Sequence, residues 1–391
     1  MYDFKFKKIS RKIAIIGTAR AGKTVFLTSL INHLLEHNRQ DFVIGERVPV
    51  QISNFRPVSV PARVGHKFNY GACRDALVHQ GEWPEKTRDT SHFICNFERS
   101  DWKFSRNELH FFDLPGERFA DAAIARFSDF KEWSAYMLDY ILADSHYCNL
   151  ASDYLELQKV GAKSSVSPDK ILSLYRMTLA NFVVNFKPMI SPSTFILDQQ
   201  GESPNGTTHE DFFRDAKSRI CGLPLQKNRK REFAPVSEAL LKQNPTILRL
   251  FASSFNAYRN QVALPLFKNL RSSRRLIILV DIPSLLNGGV AMYNDTREII
   301  DNIFAVLAPK SWLEELFKGQ LMGHNIDRIA FVATKDDAVY PLDLEEGRLK
   351  NLLLQMTEKF SFSIPRVKCE WFTCSAIIFT LTIHLIWQLK K

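Results

Sequence analysis

A mostly parallel α/β sheet flanked by helices and interrupted by a large helical insertion is the fold class this sequence predicts, and three observations predict it. The first is a set of short, largely apolar runs, Lys12 to Ile16, Glu108 to Phe112, Leu276 to Val280 and Ile329 to Ala333. Their length and near-continuous apolarity suit strands covered on both faces. The second is helical spacing between such runs: Val25, Phe26, Leu30, Leu34 and Leu35 follow the first, and Glu298 to Leu307 and Ser311 to Leu316 separate the last two. Strands alternating with helices argue for a parallel, doubly wound sheet. The third is the stretch from Ala120 to Leu270, where helical patterns dominate at Asp121 to Leu142, Lys170 to Phe186 and Thr246 to Arg271. The expected organisation is a basic arm over residues 1–12, a sheet domain built from 13–119 and 272–391, and a helical insertion over 120–271.

Composition narrows the class without choosing a function. Hydrophobic residues at 45% and charged residues at 24% fit an ordinary water-soluble globular chain. Lysine and arginine exceed acidic residues by 52 to 42, a net +10 that favours anionic partners but is too mild to specify nucleic acid. Cysteines at 73, 95, 148, 221, 369 and 374 form no CxxC pair and no zinc-ligand spacing. The basic start before Ile13 to Ile16 has too short an apolar stretch for a signal peptide. Ile377 to Trp387 is interrupted by Thr380, Thr382 and His384 and falls short of the ~20 residues of a membrane helix. A cytoplasmic chain, peripheral at most to a membrane, is expected.

Chemistry enters at Gly17-Thr18-Ala19-Arg20-Ala21-Gly22-Lys23-Thr24, which satisfies G-x-x-x-x-G-K-[ST] at every fixed position, with Val25 next in the helix. Glycines let backbone N–H groups converge on phosphate oxygens, the helix adds the positive end of its dipole, Lys23 reaches the phosphates and Thr24 ligates Mg²⁺. A P-loop nucleotide fold, GTPase-like in its further motifs, is therefore expected. Asp113 ends the second run in the form D-x-x-G, where its carboxylate suits the Mg²⁺ shell and the Gly116 amide a γ-phosphate. Thr87 lies between these motifs, where a switch threonine would complete that shell, and position is its main support.

Thr334-Lys335-Asp336-Asp337 has the T/N-K-x-D form, in which the Asp337 carboxylate accepts from guanine N1 and N2 and the Lys335 stem packs along the base. Adenine cannot offer that donor pair, so the site reads guanine. Ser375 and Ala376, after a last short apolar stretch, are the expected source of amides near the base oxygen. Glu117 stands where a water-positioning glutamine would act, and a carboxylate beside an anionic phosphate predicts slow turnover. The catalytic candidates are thus Lys23, Thr87, Gly116 and Glu117, with Thr24, Asp113 and Thr87 toward the metal.

Taken together, Gly22-Lys23-Thr24 with Phe26, Thr28, Ser29 and Asn32, then Asp113-x-Pro115-Gly116-Glu117, Val280-Asp281 with Asn287, Gly288 and Asn294, and Ala333-Thr334-Lys335-x-Asp337 resemble the YcjX-like family of stress-associated P-loop proteins. Trp83-Pro84-x-x-Thr87 fits the same pattern. The resemblance implies a GTPase-like core, a helical insertion and guanine nucleotide binding. The leading expectation is a Mg²⁺-dependent GTP/GDP switch, with the helical insertion as an effector surface or a lid. Two other readings stay open. One is an ATPase in which Asp281 is the magnesium carboxylate. The other is a scaffold that meets anionic membrane or a protein through Lys5 to Lys12, Lys227 to Arg231 and Arg271 to Arg275.

Overall fold

A computed structural model describes residues 7–18, 21–36, 52–62, 64–84, 90–100, 102–160, 166–185, 209–221, 232–307, 326–363 and 367–376. The chain divides into two compact units: residues 1–116, 270–288 and 310–391 form the first, and 117–269 with 289–309 the second.

The first unit is a sheet. Its strands are β1 (Lys7–Gly17), β2 (Ile52–Val58), β3 (His66–Lys67), β4 (Ser91–Arg99), β5 (Trp102–Asp113), β6 (Arg275–Asp281), β7 (Arg328–Thr334) and β8 (Lys368–Cys374). They run in the order β2-β4-β5-β1-β6-β7-β8, with β3 paired to β4. The five strands β5, β1, β6, β7 and β8 are parallel, whereas β4 is antiparallel to β5 and β2 to β4. Helix α1 (Lys23–Leu35) buries Leu27, Ile31 and Leu34 against Ile13, Ile15, Phe111, Leu279 and Val332 on one face of the sheet. That spacing of three or four residues is the apolar stripe read from the sequence.

The four apolar runs are strands, each one to six residues longer at an end than the run itself. One expectation needs correcting. Lys7 to Lys12 are not an arm: they pair with β5 from Lys7↔Ser105 to Lys12↔His110. Ladder bonds satisfy this backbone while the charges at Lys12 and Arg11 stay wholly or partly in solvent, which the charge-run reading did not weigh. Of the helical patterns between β6 and β7, Glu298 to Leu307 lies in one long helix and Ser311 to Leu316 lies outside the described residues.

The second unit is helical: α2 (Tyr70–Asp75) belongs to the first unit, and α3 (Ala122–Arg126), α4 (Phe130–Ala143), α5 (Ser145–Leu150), α6 (Ser152–Val160), α7 (Pro168–Val184), α8 (His209–Cys221), α9 (Glu238–Gln243), α10 (Pro245–Tyr258) and α11 (Leu264–Arg271) follow in order. The stretch from Asp121 to Leu142 is two helices rather than one. Phe127 is extended, and Asp129 caps α4 by accepting from the Lys131 N–H at 3.0 Å, so the polar cap stops the helical register there. A widened turn, Arg259–Ala263, separates α10 from α11 just before Pro265, which has no N–H to give to a helix.

Trp133 is fully buried among Phe130, Phe233 and Phe255, with ring centroids 5.1–6.0 Å apart. The buried Arg176 and Glu232 pair through two hydrogen bonds. The last helix of this unit comes from α12 (Ile282–Leu307), which is broken at Gly289 (φ 62, ψ −155). Its second part is held by Tyr140 and Tyr147, which both donate to Asp295, and by Tyr136, which donates to Glu298 at 2.6 Å. No helix among the described residues is long and apolar enough to cross a membrane.

Between β4 and β5, His92 Nδ1 and His110 Nε2 lie 3.0 Å apart, so one ring donates and the other accepts. Burial pushes His110 down to about 4, with help from the His92 and Lys12 charges and against the opposing effect of Glu108. A histidine held neutral in the fold and protonated in the unfolded chain makes stability fall as pH drops from about 6.5 toward 4. The unfolding midpoint is expected to decline over that window in wild type and to decline less in His110→Gln, measured by circular dichroism across pH.

Candidate functional site

The loop after β1 owes its shape to two glycines. A Cβ on Gly17 would lie 2.5 Å from the Leu279 carbonyl of β6, so only glycine lets the end of β1 come this close to its neighbour. Gly22 adopts φ 80, ψ 22 as it caps α1, a left-handed conformation that other residues resist. Thr18 and Ala21 flank the turn, while Ala19 and Arg20 lie outside the described residues. Lys23 begins α1 with only 7% of its surface exposed, and its ammonium donates to the Gly17 and Thr18 carbonyls at 3.1 and 2.9 Å. A buried cation needs such acceptors. Here the loop backbone supplies them, which holds the lysine folded back over its own loop.

The next residue joins two motifs that are 89 positions apart. Thr24 Oγ1 donates to Asp113 Oδ2 at 3.1 Å, across the register Ile15↔Asp113 that sets β5 beside β1. Asp113 is completely buried at the end of β5. Gly116 opens the short 3₁₀ turn Gly116–Asp121 that follows, and it too is buried. Glu117 lies in that turn, but its side chain, like all of Thr87, is outside the described residues. Val25 is half-buried in the first turn of α1.

On the other side of β1 the sheet register aligns the ends of three more strands, Asp281↔Thr334↔Cys374. The Thr334 hydroxyl lies 3.1 Å from the Ala21 carbonyl and 3.2 Å from that of Val280, so it ties the turn after β7 to the glycine loop. Lys335 takes the left-handed conformation (φ 60) and donates to Asp281 Oδ2 at 2.6 Å. Asp281 Oδ1 in turn accepts from the Ser284 N–H at 3.1 Å, capping the start of α12. Both oxygens of Asp281 are thus engaged with the base-side lysine and a helix end, while the carboxylate beside Thr24 is Asp113.

Asp337 Oδ1 accepts from Ser375 Oγ at 2.6 Å, which brings the turns after β7 and β8 together, with Ala376 next in the chain. Burial and the Asp337 charge raise the neighbouring Asp336 carboxyl, and burial followed by the same two aspartates raises the Cys374 thiol. Asp336, Asp337 and the Ser375 hydroxyl thus gather polar groups at the ends of β7 and β8. The Thr334 hydroxyl reaches two carbonyls, a link invisible in sequence because Ala21 lies 313 residues away. The Lys335 to Asp281 pair was likewise missed, although the acid at the end of an apolar run was a usable signal.

The carboxyl edge of the sheet therefore gathers a glycine-lysine loop, a buried aspartate, and two turns linked by side-chain hydrogen bonds. These features define a mixed α/β protein with a central sheet flanked by helices and a polar carboxyl edge. The chain belongs to the YcjX-like family, DUF463, which it matches over residues 11–384.

Gly17→Ala is expected to destabilise the first unit by about 1–3 kcal/mol, the range for forcing extra volume into a packed site. Thr334→Val, which keeps the shape and removes the hydroxyl, is expected to cost about 1 kcal/mol, the usual net loss of one hydrogen bond. Urea denaturation of the two variants beside wild type measures both.

Proposed function

We propose that the chain binds guanine nucleotide with Mg²⁺ and hydrolyses GTP slowly to GDP and phosphate, acting as a conformational switch. The observation that carries this reading is the 3.1 Å bond from Thr24 to Asp113, which unites the phosphate-loop threonine with the D-x-x-G aspartate. Topology supports it as well. In sheets of this kind ligands bind outside the carboxyl ends of the strands where the connections change direction. That point falls at β1, since the chain goes from β1 to β5 on one side and returns to β6 on the other.

Each residue has a role in this reading. The amides around Gly17 to Thr24, including those of Thr18, Ala19, Arg20, Ala21 and Gly22, cradle the phosphates, and the start of α1 with Val25 adds its dipole. Lys23 exchanges loop carbonyls for phosphate oxygens. Thr24 and Asp113 present a hydroxyl and a carboxylate, the hard oxygen donors that suit Mg²⁺, and would hold it with Thr87. Bound there, the ion would neutralise charge on the transferring phosphate. Asp337, its carboxylate already oriented by Ser375, accepts from the guanine edge, and Lys335, fixed by Asp281, lines the base. Gly116 offers its amide to the γ-phosphate, and Glu117 in place of an amide side chain keeps turnover slow.

The ATP reading gains no support from the bonds of Asp281, which point to Lys335 and Ser284. The helical unit is the proposed effector surface, and a cytoplasmic setting goes with this reading. Competition between labelled GDP and ADP, with Mg²⁺, tests it. GDP is expected to win, Lys23→Ala to abolish binding, and Asp337→Asn to reduce guanine preference at least tenfold while leaving the phosphate site intact. ADP binding as tightly as GDP, unchanged by Asp337→Asn, would overturn the guanine assignment.

A further inference from the structure

The opposite, amino-terminal edge of the same sheet carries an arrangement that the nucleotide reading does not use. Arg275, Arg328 and Lys368 are direct register partners on β6, β7 and β8. Direct partners project from the same face of a sheet on strands about 4.8 Å apart, and like charges so placed are destabilising. Arg11 joins them on that face. It lies two residues before Ile13, the partner of Arg275 on β1.

Two acids are close. Asp327 bonds Arg274 through Oδ2 at 2.8 Å, its buried Oδ1 forms a long ion pair with Arg275 Nε at 3.8 Å, beyond hydrogen-bond reach, and Glu370 pairs with Lys368. The Nε donors of Arg11 and Arg275 are both buried, and neither has a hydrogen-bond acceptor among the described residues. Leaving such donors unmade costs more than a typical hydrogen bond contributes. Burial lowers the Arg275 guanidinium, and the Arg11 charge lowers it further, outweighing the opposing attraction of Asp327. The local field is positive, and it is aimed at one patch.

We propose that Arg11, Arg275, Arg328 and Lys368 form a binding site for a phosphate-bearing anion, separate from the glycine-loop edge. Guanidinium forks match phosphate oxygens in geometry as well as charge, and such an anion would satisfy the two Nε donors and relieve the repulsion along the ladder. Arg11 and Gly17 are six residues apart on the extended β1, so the two edges are separated by about 20 Å. The phosphate could belong to a lipid headgroup or to a soluble anion. The site is the same in either case, and the source is a matter for experiment.

The test uses the full chain and inorganic pyrophosphate at constant ionic strength, with the thermal unfolding midpoint as readout. The comparison is made in wild type and in Lys23→Ala, where the glycine loop no longer reports. Pyrophosphate is expected to raise the midpoint in both. Arg328→Gln is expected to raise the half-saturating concentration at least tenfold while leaving the pyrophosphate-free midpoint unchanged or higher, because a like charge has left the ladder. A solvated arginine with only a structural role would give neither result. Should Arg328→Gln fail to fold, Lys368→Gln, at a side chain 63% exposed, carries the same expectation.

Sedimentation with phosphatidylcholine vesicles, with and without a phosphorylated inositol lipid, separates the sources. Lipid-dependent sedimentation lost in the variant assigns the headgroup, and pyrophosphate binding without sedimentation assigns a soluble anion. The proposal is overturned if Lys23→Ala shows no pyrophosphate-dependent rise, or if the half-saturating concentration is the same with and without the Arg328 or Lys368 charge.

Discussion

The pairing of β1 between β5 and β6 is the constraint on which the rest of the first unit depends. Because both neighbours are parallel to it, the carboxyl ends of all three strands come out at one edge, and β7 and β8 extend that edge by the same register. A parallel ladder allows no tight hairpin between neighbours, so each crossing must travel over a face or through added structure. The crossing from β5 to β6 is where the chain builds most of its second unit, and the one from β1 to β5 includes the antiparallel β4. Close approach at Gly17 is the local consequence, since its missing Cβ lets the loop turn directly over β6.

At that edge, polar side chains substitute for sequence proximity. Thr24 to Asp113, Thr334 to Ala21, Lys335 to Asp281 and Ser375 to Asp337 are hydrogen bonds between segments from different parts of the chain. Each is modest alone. Together they join the ends of five strands, one bond buried, two part-buried and one exposed. Lys23 and Asp113 are the costliest groups to bury here: two loop carbonyls meet the ammonium, and the Thr24 hydroxyl meets one carboxylate oxygen. The same physics gives the opposite edge its tension, where guanidinium donors outnumber the nearby acids.

Much of this was legible in the sequence because the parallel strands are covered on both faces and therefore read as apolar runs. Leu276 to Val280 and Ile329 to Ala333 needed extension by only one residue at each end. Other strands were hidden for physical reasons. β4 carries the buried polar residue His92 within its apolar stretch, so neither alternation nor a clean run appears. β2 holds Pro57 and a register shift between Ser53 and Arg56, signals that demote a sequence from strand to loop. β8 showed only as a short apolar stretch before Ser375, because Glu370 interrupts it and little of its side-chain surface is buried. Within the site, glycines and fixed motif residues announced themselves, while the pairing of Lys335 with Asp281 and the reach of the Thr334 hydroxyl depended on strand register. Register is a long-range property that local patterns do not encode.

The central claim is that the ends of β1, β5, β7 and β8 form one guanine nucleotide site, and amide hydrogen exchange tests it most directly. Peptides covering residues 17–25, 113–116, 334–338 and 373–376 are predicted to slow together on addition of GDP with Mg²⁺, and the base-side pair is predicted to lose that protection in Asp337→Asn. Protection confined to residues 17–25, or equal protection of all four peptides by ADP, would contradict the account.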